Sequence, residues 1–359
     1  MSNSILTVIE FVAALGALLF VHELGHYLVG LLFGIKAEEF GFGYPPKLIK
    51  LFSIAGTDFT LNLIPFGAFV RFKGENDPGV EGGLASANKW KRLGTLLSGP
   101  FMNILTGILL FTIVISQTGI PQSNMVQIAG VAPGSPAAEA GILEGDMLVT
   151  INSEDVDSME MVSDRISQNL GDMISLTVIR SGEKMKFSLV PRENPPEGEG
   201  AIGILMQNPV EEVGFFRAIP FGGRLAWEQV KQIVSVPVLL IRGQVESEEA
   251  RLLSPKGIYD VYSHVREEER TIEDDQPSLA FLNIAWFFGV ISVALGFSNL
   301  LPIPALDGGR ILFILPEIFI GKRVPPKYEN FIHFIGYITL LVIMVYVFYQ
   351  DFANPIQLR

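Results

Sequence analysis

The stretch Val21-His22-Glu23-Leu24-Gly25-His26 decides how the rest of the sequence is interpreted. Its two histidines stand four residues apart, so on a helix they lie on one face, about one turn from each other. Two imidazole nitrogens placed in this way can bind one zinc ion, and a catalytic zinc keeps one position open for water. Glu23 directly follows the first histidine, where it can act as a base toward that water. The motif therefore predicts His22 and His26 as metal ligands and Glu23 as the catalytic residue.

The segment that carries this motif is long and apolar. Between Ile5 and Phe33 the only charged residue outside the motif is Glu10, and such a length crosses roughly 30 Å of hydrocarbon with some tilt. Titratable groups are costly inside a spanning helix and by default indicate function. We therefore predict that residues 1–35 form a first transmembrane helix. We expect it to be retained, because cleavage as a signal peptide would remove the helix that carries His22.

Composition limits the class of protein. The chain has 359 residues, of which 49% are hydrophobic, and a net charge of −12, which fits several spans with one or two small soluble domains. It contains no cysteine, so disulfides and thiolate zinc ligands are excluded. The acidic balance argues against nucleic acid as a partner, because nucleic acid attracts clustered Lys and Arg. A third zinc ligand must then be a carboxylate or one of the two remaining histidines, His264 and His333.

Residues 36–92 are predicted to form a loop with some structure of its own. Its segment 39–46 is rich in glycine and proline, which excludes a regular helix. Either a re-entrant segment that dips into the membrane or an ordinary surface turn fits it.

A β-hairpin is predicted over residues 57–72, because apolar and polar residues alternate before and after the turn Pro65-Phe66-Gly67. An open hairpin edge beside a protease centre can add an extended substrate as a further strand. Asn62 and Leu63 are therefore predicted substrate-binding residues. The alternative is a hairpin that only covers the loop.

Residues 93–117 predict a second transmembrane helix that opens with small residues and an amide, Ser98-Gly99-Pro100 and Asn103. Such residues favour close helix packing and interhelical hydrogen bonds. We expect this helix to pack against the one that carries the histidines, with a direct catalytic role for Asn103 as the alternative.

Residues 120–194 predict an inserted, β-rich α+β domain. A strand at 126–131 and a helix at 159–170 precede two alternating strands at 175–180 and 184–190. The order of these elements and the amino-acid sequence of this stretch resemble a PDZ domain of the bacterial type. The resemblance implies a groove that binds a chain end or an extended peptide.

The segment 195–278 follows the inserted domain and is mostly polar and acidic. Its apolar part, residues 225–241, is short for a span and contains Glu228, Lys231 and Pro237. We therefore predict an amphipathic helix that lies at the membrane interface.

Residues 279–309 predict a third transmembrane segment, a helix to about residue 301 followed by the motif Leu306-Asp307-Gly308-Gly309, and residues 331–350 predict a fourth helix. Pro302 and Pro304 break the third helix, and the glycines allow a sharp turn after Asp307.

The third zinc ligand can be predicted from the depth of each candidate residue in the membrane and from the alternating direction of successive spans. His22 lies about 25 Å along the first span, and Asp307 lies just past the end of the third, so both sit toward one membrane face if successive spans alternate in direction. Glu10 is about 18 Å from His22 along the helix, Asp351 follows the fourth span on the opposite face, and His264 lies outside the spans. Asp307 is the predicted ligand. His333 remains a less constrained rival, and a full span at 225–241 would place Asp307 on the wrong side.

Orientation follows from basic residues at the ends of the spans, which favour the cytoplasm. The loops after spans one and three are therefore predicted to be cytoplasmic, and the PDZ domain and both termini extracytoplasmic. The basic residues that flank these two loops are Lys36, Lys89, Lys91, Arg92, Arg310, Lys322, Arg323 and Lys327.

These motifs together resemble the site-2 protease family, the M50-type zinc intramembrane metalloproteases, in its bacterial RseP-like form with a single PDZ domain. The resemblance rests on HExxH in the first span, the 39–46 loop, the hairpin, Ser98-Gly99-Pro100 with Asn103, and the segment from Asn299 to Gly309. It implies one Zn²⁺ per chain held by His22, His26 and Asp307, with Glu23 as acid and base. It also implies a substrate or inhibitor contact at Asn299.

The resemblance implies regulated intramembrane proteolysis in the bacterial inner membrane, with the active site toward the cytoplasmic face. The expected substrates are transmembrane helices of single-pass proteins such as anti-sigma factors, already cleaved outside the membrane. One alternative is a catalytically inactive homologue that binds membrane proteins through its PDZ domain. Another is a metal transporter or sensor, although an isolated site beside a general base provides no conduction path.

Overall fold

The computed structural model describes residues 2–244, 251–273 and 281–355. The predicted start of the third span at 279 and parts of the predicted segment 195–278 lie outside these residues. The helices and strands are α1 (Ser2–Leu32), β1 (Ala37–Ile54), β2 (Thr57–Phe72), α2 (Lys89–Thr118), β3 (Ile120–Pro121), β4 (Val126–Val131), α3 (Pro136–Ala140), β5 (Met147–Ile151), β6 (Glu154–Asp155), α4 (Met159–Ser167), β7 (Ile174–Arg180), β8 (Glu183–Leu189), β9 (Ile204–Gln207), β10 (Val210–Glu211), α5 (Phe215–Ile241), α6 (Pro255–Glu273), α7 (Leu282–Leu300), α8 (Asp307–Phe319) and α9 (Pro326–Ala353).

The chain forms two compact units. The first comprises Met1–Ile115 and Phe215–Arg359, and the second comprises Ser116–Gly214. Within the described residues, four helices are long and apolar enough to cross a membrane: α1, α2, α7 and α9. This number agrees with the prediction. α5 is not among them, as expected of an amphipathic helix, although it begins ten residues before the predicted start at 225.

The first unit is held together by close helix packing. α1, α6 and α7 share an apolar core built around Phe11, Leu18, Tyr262 and Phe288. α1 also approaches α2 closely, since a Cβ atom at Gly25 would lie 2.5 Å from the carbonyl oxygen of Ser98. The sequence of the polar, acidic segment 195–278 did not predict α6, which packs against α1 and α7.

The β-structure between α1 and α2 differs from the predicted hairpin. Residues 39–42 of β1 pair on one side with residues 58–61 and on the other with residues 68–71, so both halves of β2 flank β1. The second half of β1 then pairs with the outer side of residues 58–61. The open edges of the resulting four-segment sheet are residues 68–71 and 47–53.

This arrangement corrects two expectations. Segment 39–46 is part of β1 rather than an irregular loop, and the hairpin turn is at Ala55-Gly56 rather than at residues 65–67. The alternation in the sequence identified the strands correctly. It could not identify their partner, because alternation indicates which face a side chain lies on and not which strand pairs with it.

The second unit contains the short helices α3 and α4, a six-stranded sheet and the two-stranded pair of β3 and β10. The strands of the larger sheet are ordered β8-β7-β5-β4-β9, with β6 paired to β5. The core is apolar and includes Val126, Ile128, Leu176 and Val178. The unit extends past the predicted boundary at residue 194, because β9 returns to pair with β4.

Candidate metal centre

Three predicted ligands converge on one point in the first unit. His22 Nε2 lies 3.1 Å from His26 Nε2 and 3.1 Å from Asp307 Oδ2, and His26 Nε2 lies 3.3 Å from the same oxygen. Both histidines are buried, each 7% exposed. The histidines meet because one helical turn separates them on α1, and Asp307 joins them as the first residue of α8.

The donor set fits a zinc ion. Ligands at about 2.0–2.1 Å in a tetrahedron are about 3.3 Å apart, which matches the separations of the three side-chain atoms. Two nitrogens and one carboxylate oxygen leave a fourth position for water or substrate.

The other candidates for the third ligand lie elsewhere. Glu10 accepts hydrogen bonds from Tyr262 Oη and Arg266 Nε, and His264 lies beside Glu268 on α6. The Nδ1 atom of His333 accepts a hydrogen bond from the backbone N–H of Ala305 at 2.9 Å. Asp351 accepts hydrogen bonds from Ser254.

Two residues of α2 orient the imidazoles. His26 Nδ1 lies 2.7 Å from the carbonyl oxygen of Thr95, so it donates its proton there and leaves Nε2 free as a ligand. His22 Nδ1 lies 3.3 Å from the side-chain amide of Asn103, whose Oδ1 is buried without a hydrogen-bond partner in the described structure. A half-turn of this amide would place Oδ1 against the Nδ1–H of His22, which is the tautomer that frees Nε2 for a metal.

Tight backbone packing positions Asp307. A Cβ atom at Gly308 would lie 2.2 Å from the Leu301 carbonyl oxygen, and one at Gly309 would lie 2.3 Å from that of Ile303. Ala305 adopts a φ of 80°, in the left-handed region that disfavours residues with a side chain. The hydrogen bond from Ala305 to His333 holds this conformation, so His333 acts on the turn rather than as a ligand.

Glu23 lines a cavity of about 160 Å³ with His26, Asp307, Val70 and Arg310. Its Oε2 accepts a hydrogen bond from the backbone N–H of Val70 at 3.0 Å. Val70 belongs to the open edge at residues 68–71, so this edge passes directly beside the predicted catalytic carboxylate. Arg310 forms an ion pair with Glu75 at the same cavity, which raises the pKa of the guanidinium against the opposing effect of burial.

The three predicted substrate-binding residues do not line this cavity. Asn62 is 3% exposed, pairs with Lys47 on an inner segment of the sheet, and donates to the carbonyl oxygen of Gly43 at 3.1 Å. Leu63 follows it with an exposed side chain. Asn299 donates to the carbonyl oxygen of Leu295 in its own helix, at 3.0 Å. Phe69 and Val70 line the cavity, and substrate binding by Asn62, Leu63 and Asn299 stays a prediction.

Comparison with known proteins gives a consistent set of matches. The model of Peptidase family M50 matches residues 10–343. A protein of Brucella suis, provisionally named a zinc metalloprotease, is 30% identical over 96% of this chain and 94% of its own length. The regulator of sigma-W protease RasP of Bacillus subtilis is 26% identical over 96% of this chain and 98% of its own. Among solved structures, the PDZ domain of the SdrC-like protein from Listeria monocytogenes covers 23% of this chain and 87% of its own, with 21% identity and a TM-score of 0.21.

Proposed function

Because this chain belongs to peptidase family M50, we propose that it is a zinc-dependent endopeptidase that cleaves the transmembrane helices of single-pass membrane proteins. The observation that carries the proposal is the convergence of His22, His26 and Asp307 beside Glu23, on or next to helices apolar enough to cross a membrane. In this proposal one Zn²⁺ is held per chain by these three residues.

When bound, zinc would supply Lewis-acid chemistry, polarising the scissile carbonyl and making a water molecule more acidic. Glu23 accepts the proton of the attacking water and then delivers it to the leaving amine. The hydrogen bond from Val70 holds the Glu23 carboxylate at the edge of the sheet. Thr95 and Asn103 keep the imidazoles of His26 and His22 in the orientation and tautomer that leave Nε2 available.

A helical substrate must unwind before its peptide bond can be attacked, because its carbonyl and amide groups are engaged in helical hydrogen bonds. We place the unwound segment along residues 68–71, since this edge is open and its Val70 reaches Glu23. Strand addition satisfies the backbone of an extended substrate without requiring a particular side-chain sequence.

The substrate class and the cellular location are proposed from the similar proteins. A sigma-W regulator among them supports substrates of the anti-sigma-factor kind, already cleaved outside the membrane. We propose a location in the bacterial inner membrane, with the metal centre toward the cytoplasmic face and the PDZ domain outside, where it binds a peptide or chain end.

The direct test is Glu23→Gln in the full-length chain. We expect cleavage of a co-expressed, tagged single-pass substrate to be lost while zinc content stays that of the wild type. Asp307→Asn is expected to lower zinc content, measured by elemental analysis. Cleavage by Glu23→Gln would refute the proposed role of Glu23, and a wild-type chain that binds no zinc and cleaves nothing would favour the inactive, PDZ-based alternative.

A further inference from the structure

A second and larger cavity lies next to the one at Glu23. Its volume is about 330 Å³, and α2, α8, α9 and the segment before α9 contribute to its wall. Glu75, Ala305 and Arg310 line both cavities. The proposed protease chemistry makes no use of the larger space, which we call the arginine cavity, after Arg92, Arg310 and Arg323 in its wall.

The three arginines are not equally neutralised. Arg92 Nη1 lies 2.8 Å from Glu317 Oε2, and Arg310 pairs with Glu75. Arg323 instead donates from Nη1 to the backbone carbonyl oxygen of Ala85 at 2.6 Å. Burial and the nearby Arg92 guanidinium lower the pKa of Arg323 and outweigh the opposing charges of Glu317 and Glu329.

Two nitrogen atoms of residues that line this cavity are buried without hydrogen-bond partners in the described structure: Arg323 Nε and His333 Nε2. The Nδ1 atom of His333 accepts the N–H of Ala305, so the ring proton is on Nε2, and both orphaned atoms are donors. An unsatisfied buried donor costs about 1–3 kcal/mol. A ligand with anionic oxygens in the cavity would neutralise Arg323, and a rotation of the Arg323 and His333 side chains into the cavity would let it accept hydrogen bonds from both donors.

The geometry points to a binding site for a phosphate group in the arginine cavity, with Arg323 and His333 as donors. Its size lies within the range of small-molecule sites, about 300–1,000 Å³. Phosphate is the anion that best matches a guanidinium beside further donors, because its several oxygens accept hydrogen bonds in different directions.

A phospholipid headgroup and free phosphate share this chemistry. The lipid is the better match to the surroundings, because Phe334 and Tyr337 also line the cavity and are 62% and 60% exposed on α9. α9 is apolar enough to span a membrane, so acyl chains could lie along it while the phosphate enters between the helices. Basic pockets between transmembrane helices bind anionic headgroups in this way.

Glu329 provides an opposing charge within the same wall. A carboxylate that faces a phosphate weakens its binding, so Glu329→Gln is expected to tighten it. Arg323→Gln is expected to weaken it at least about tenfold, since a hydrogen bond to a charged group is lost. The neighbouring Lys322 is exposed and is not part of the cavity wall, so Lys322→Gln is a control for net charge.

The test uses the purified full-length chain in detergent. Native mass spectrometry would measure binding of phosphatidylglycerol and of a diacylglycerol with the same acyl chains, and equilibrium dialysis would measure binding of inorganic phosphate. We expect phosphatidylglycerol to bind at least about tenfold more tightly than the diacylglycerol. Its affinity should fall at least about tenfold in Arg323→Gln and rise in Glu329→Gln. Size-exclusion profiles and circular dichroism would verify that each variant is folded.

The outcomes separate the two sources of phosphate. Binding of inorganic phosphate that depends on Arg323, without preference for the phospholipid, would support the site and identify free phosphate as its ligand. Equal binding of both probes by the wild type and by Arg323→Gln would overturn the proposal. An equal loss in Lys322→Gln would also overturn it, because the effect would then be one of surface charge. None of these measurements depends on bound zinc.

Discussion

Gly99 of α2 passes so close to His26 of α1 that a Cβ atom at position 99 would lie 2.3 Å from His26 Nε2. Real Cβ atoms do not approach another atom so closely, so one of the two groups would have to move. His26 cannot easily yield, since its Nδ1 is held by the carbonyl oxygen of Thr95 at 2.7 Å. The absence of a side chain at Gly99 therefore leaves His26 Nε2 in the position where it can bind an ion.

We predict that Gly99→Ala loses most of its zinc, because the added methyl group displaces the His26 ring from its position. Elemental analysis of the purified protein would measure this. Gly16→Ala is the matched control, since a Cβ atom there has nothing within 4 Å. Full zinc content in Gly99→Ala would show that the ring has room to move.

Asn103 gives a second prediction about the metal centre. Asn103→Leu removes the acceptor for the His22 Nδ1–H and should weaken zinc binding about 10- to 100-fold, as loss of such an outer hydrogen bond typically does. Asn103→Asp keeps an acceptor oxygen and should retain most of the affinity. Competition against a chelator would provide the dissociation constants. Equal affinities for the Leu and Asp variants would mean that Asn103 serves only helix packing.

The candidate metal centre was largely predictable because two of its three candidate ligands, His22 and His26, are four residues apart on one helix. Asp307 required an argument about the depth and direction of the spans, and the structure places it with His22 and His26. The contacts of Thr95 and Asn103 were harder to foresee, because helical spacing does not indicate which face of α2 meets α1. An amide inside an apolar span, such as Asn103, predicts helix packing or a catalytic role, and neither prediction specifies a hydrogen bond to His22.

The pairing within the β1–β2 sheet could not be predicted from the alternation of apolar and polar residues. Alternation identified the residues of β2, but it carries no information about which strand lies beside them. Gly67, with a φ of 89°, lets β2 reverse its direction around β1, so that residues 39–42 separate its two halves. Asn62 thereby becomes an inner residue, and residues 68–71 become the edge at Glu23.

The edge assignment leads to a third prediction. The chain has no native cysteine, so a single introduced cysteine reports unambiguously on contacts. In a Glu23→Gln background, Phe69→Cys should form a disulfide with a cysteine placed near the scissile bond of a bound substrate, because Phe69 lines the cavity at Glu23.

Gel electrophoresis without reductant would detect this crosslink. Phe52→Cys is the control, since Phe52 is 48% exposed on the opposite edge of the same sheet. Crosslinking at position 52 but not at 69 would move the substrate to the other edge. Crosslinking at both would show that the reaction is not selective.

The fourth prediction concerns the stability of the second unit. Asp146, 1% exposed, accepts two hydrogen bonds of 2.7 Å from Arg180 and one from the backbone N–H of Leu143. Burial raises the pKa of this carboxyl, but the hydrogen bonds and the charge of Arg180 outweigh it, so the pKa lies below its ordinary value. A carboxyl with a lowered pKa stabilises the folded state above its unfolded pKa of about 3.9. That contribution disappears as the pH falls through the lower, folded value.

Asp146→Asn should therefore destabilise the second unit at pH 7 by about 1–3 kcal/mol, a range for hydrogen bonds to a buried group that allows for the partial exposure of Arg180. The difference from the wild type should shrink as the pH falls below about 4. Hydrogen exchange of β5 and β7 in the full-length chain would measure both effects, with the exposed Asp172 changed to Asn as the control. A difference that stays constant down to pH 2 would mean that Asp146 acts through its shape and neutral hydrogen bonds rather than through its charge.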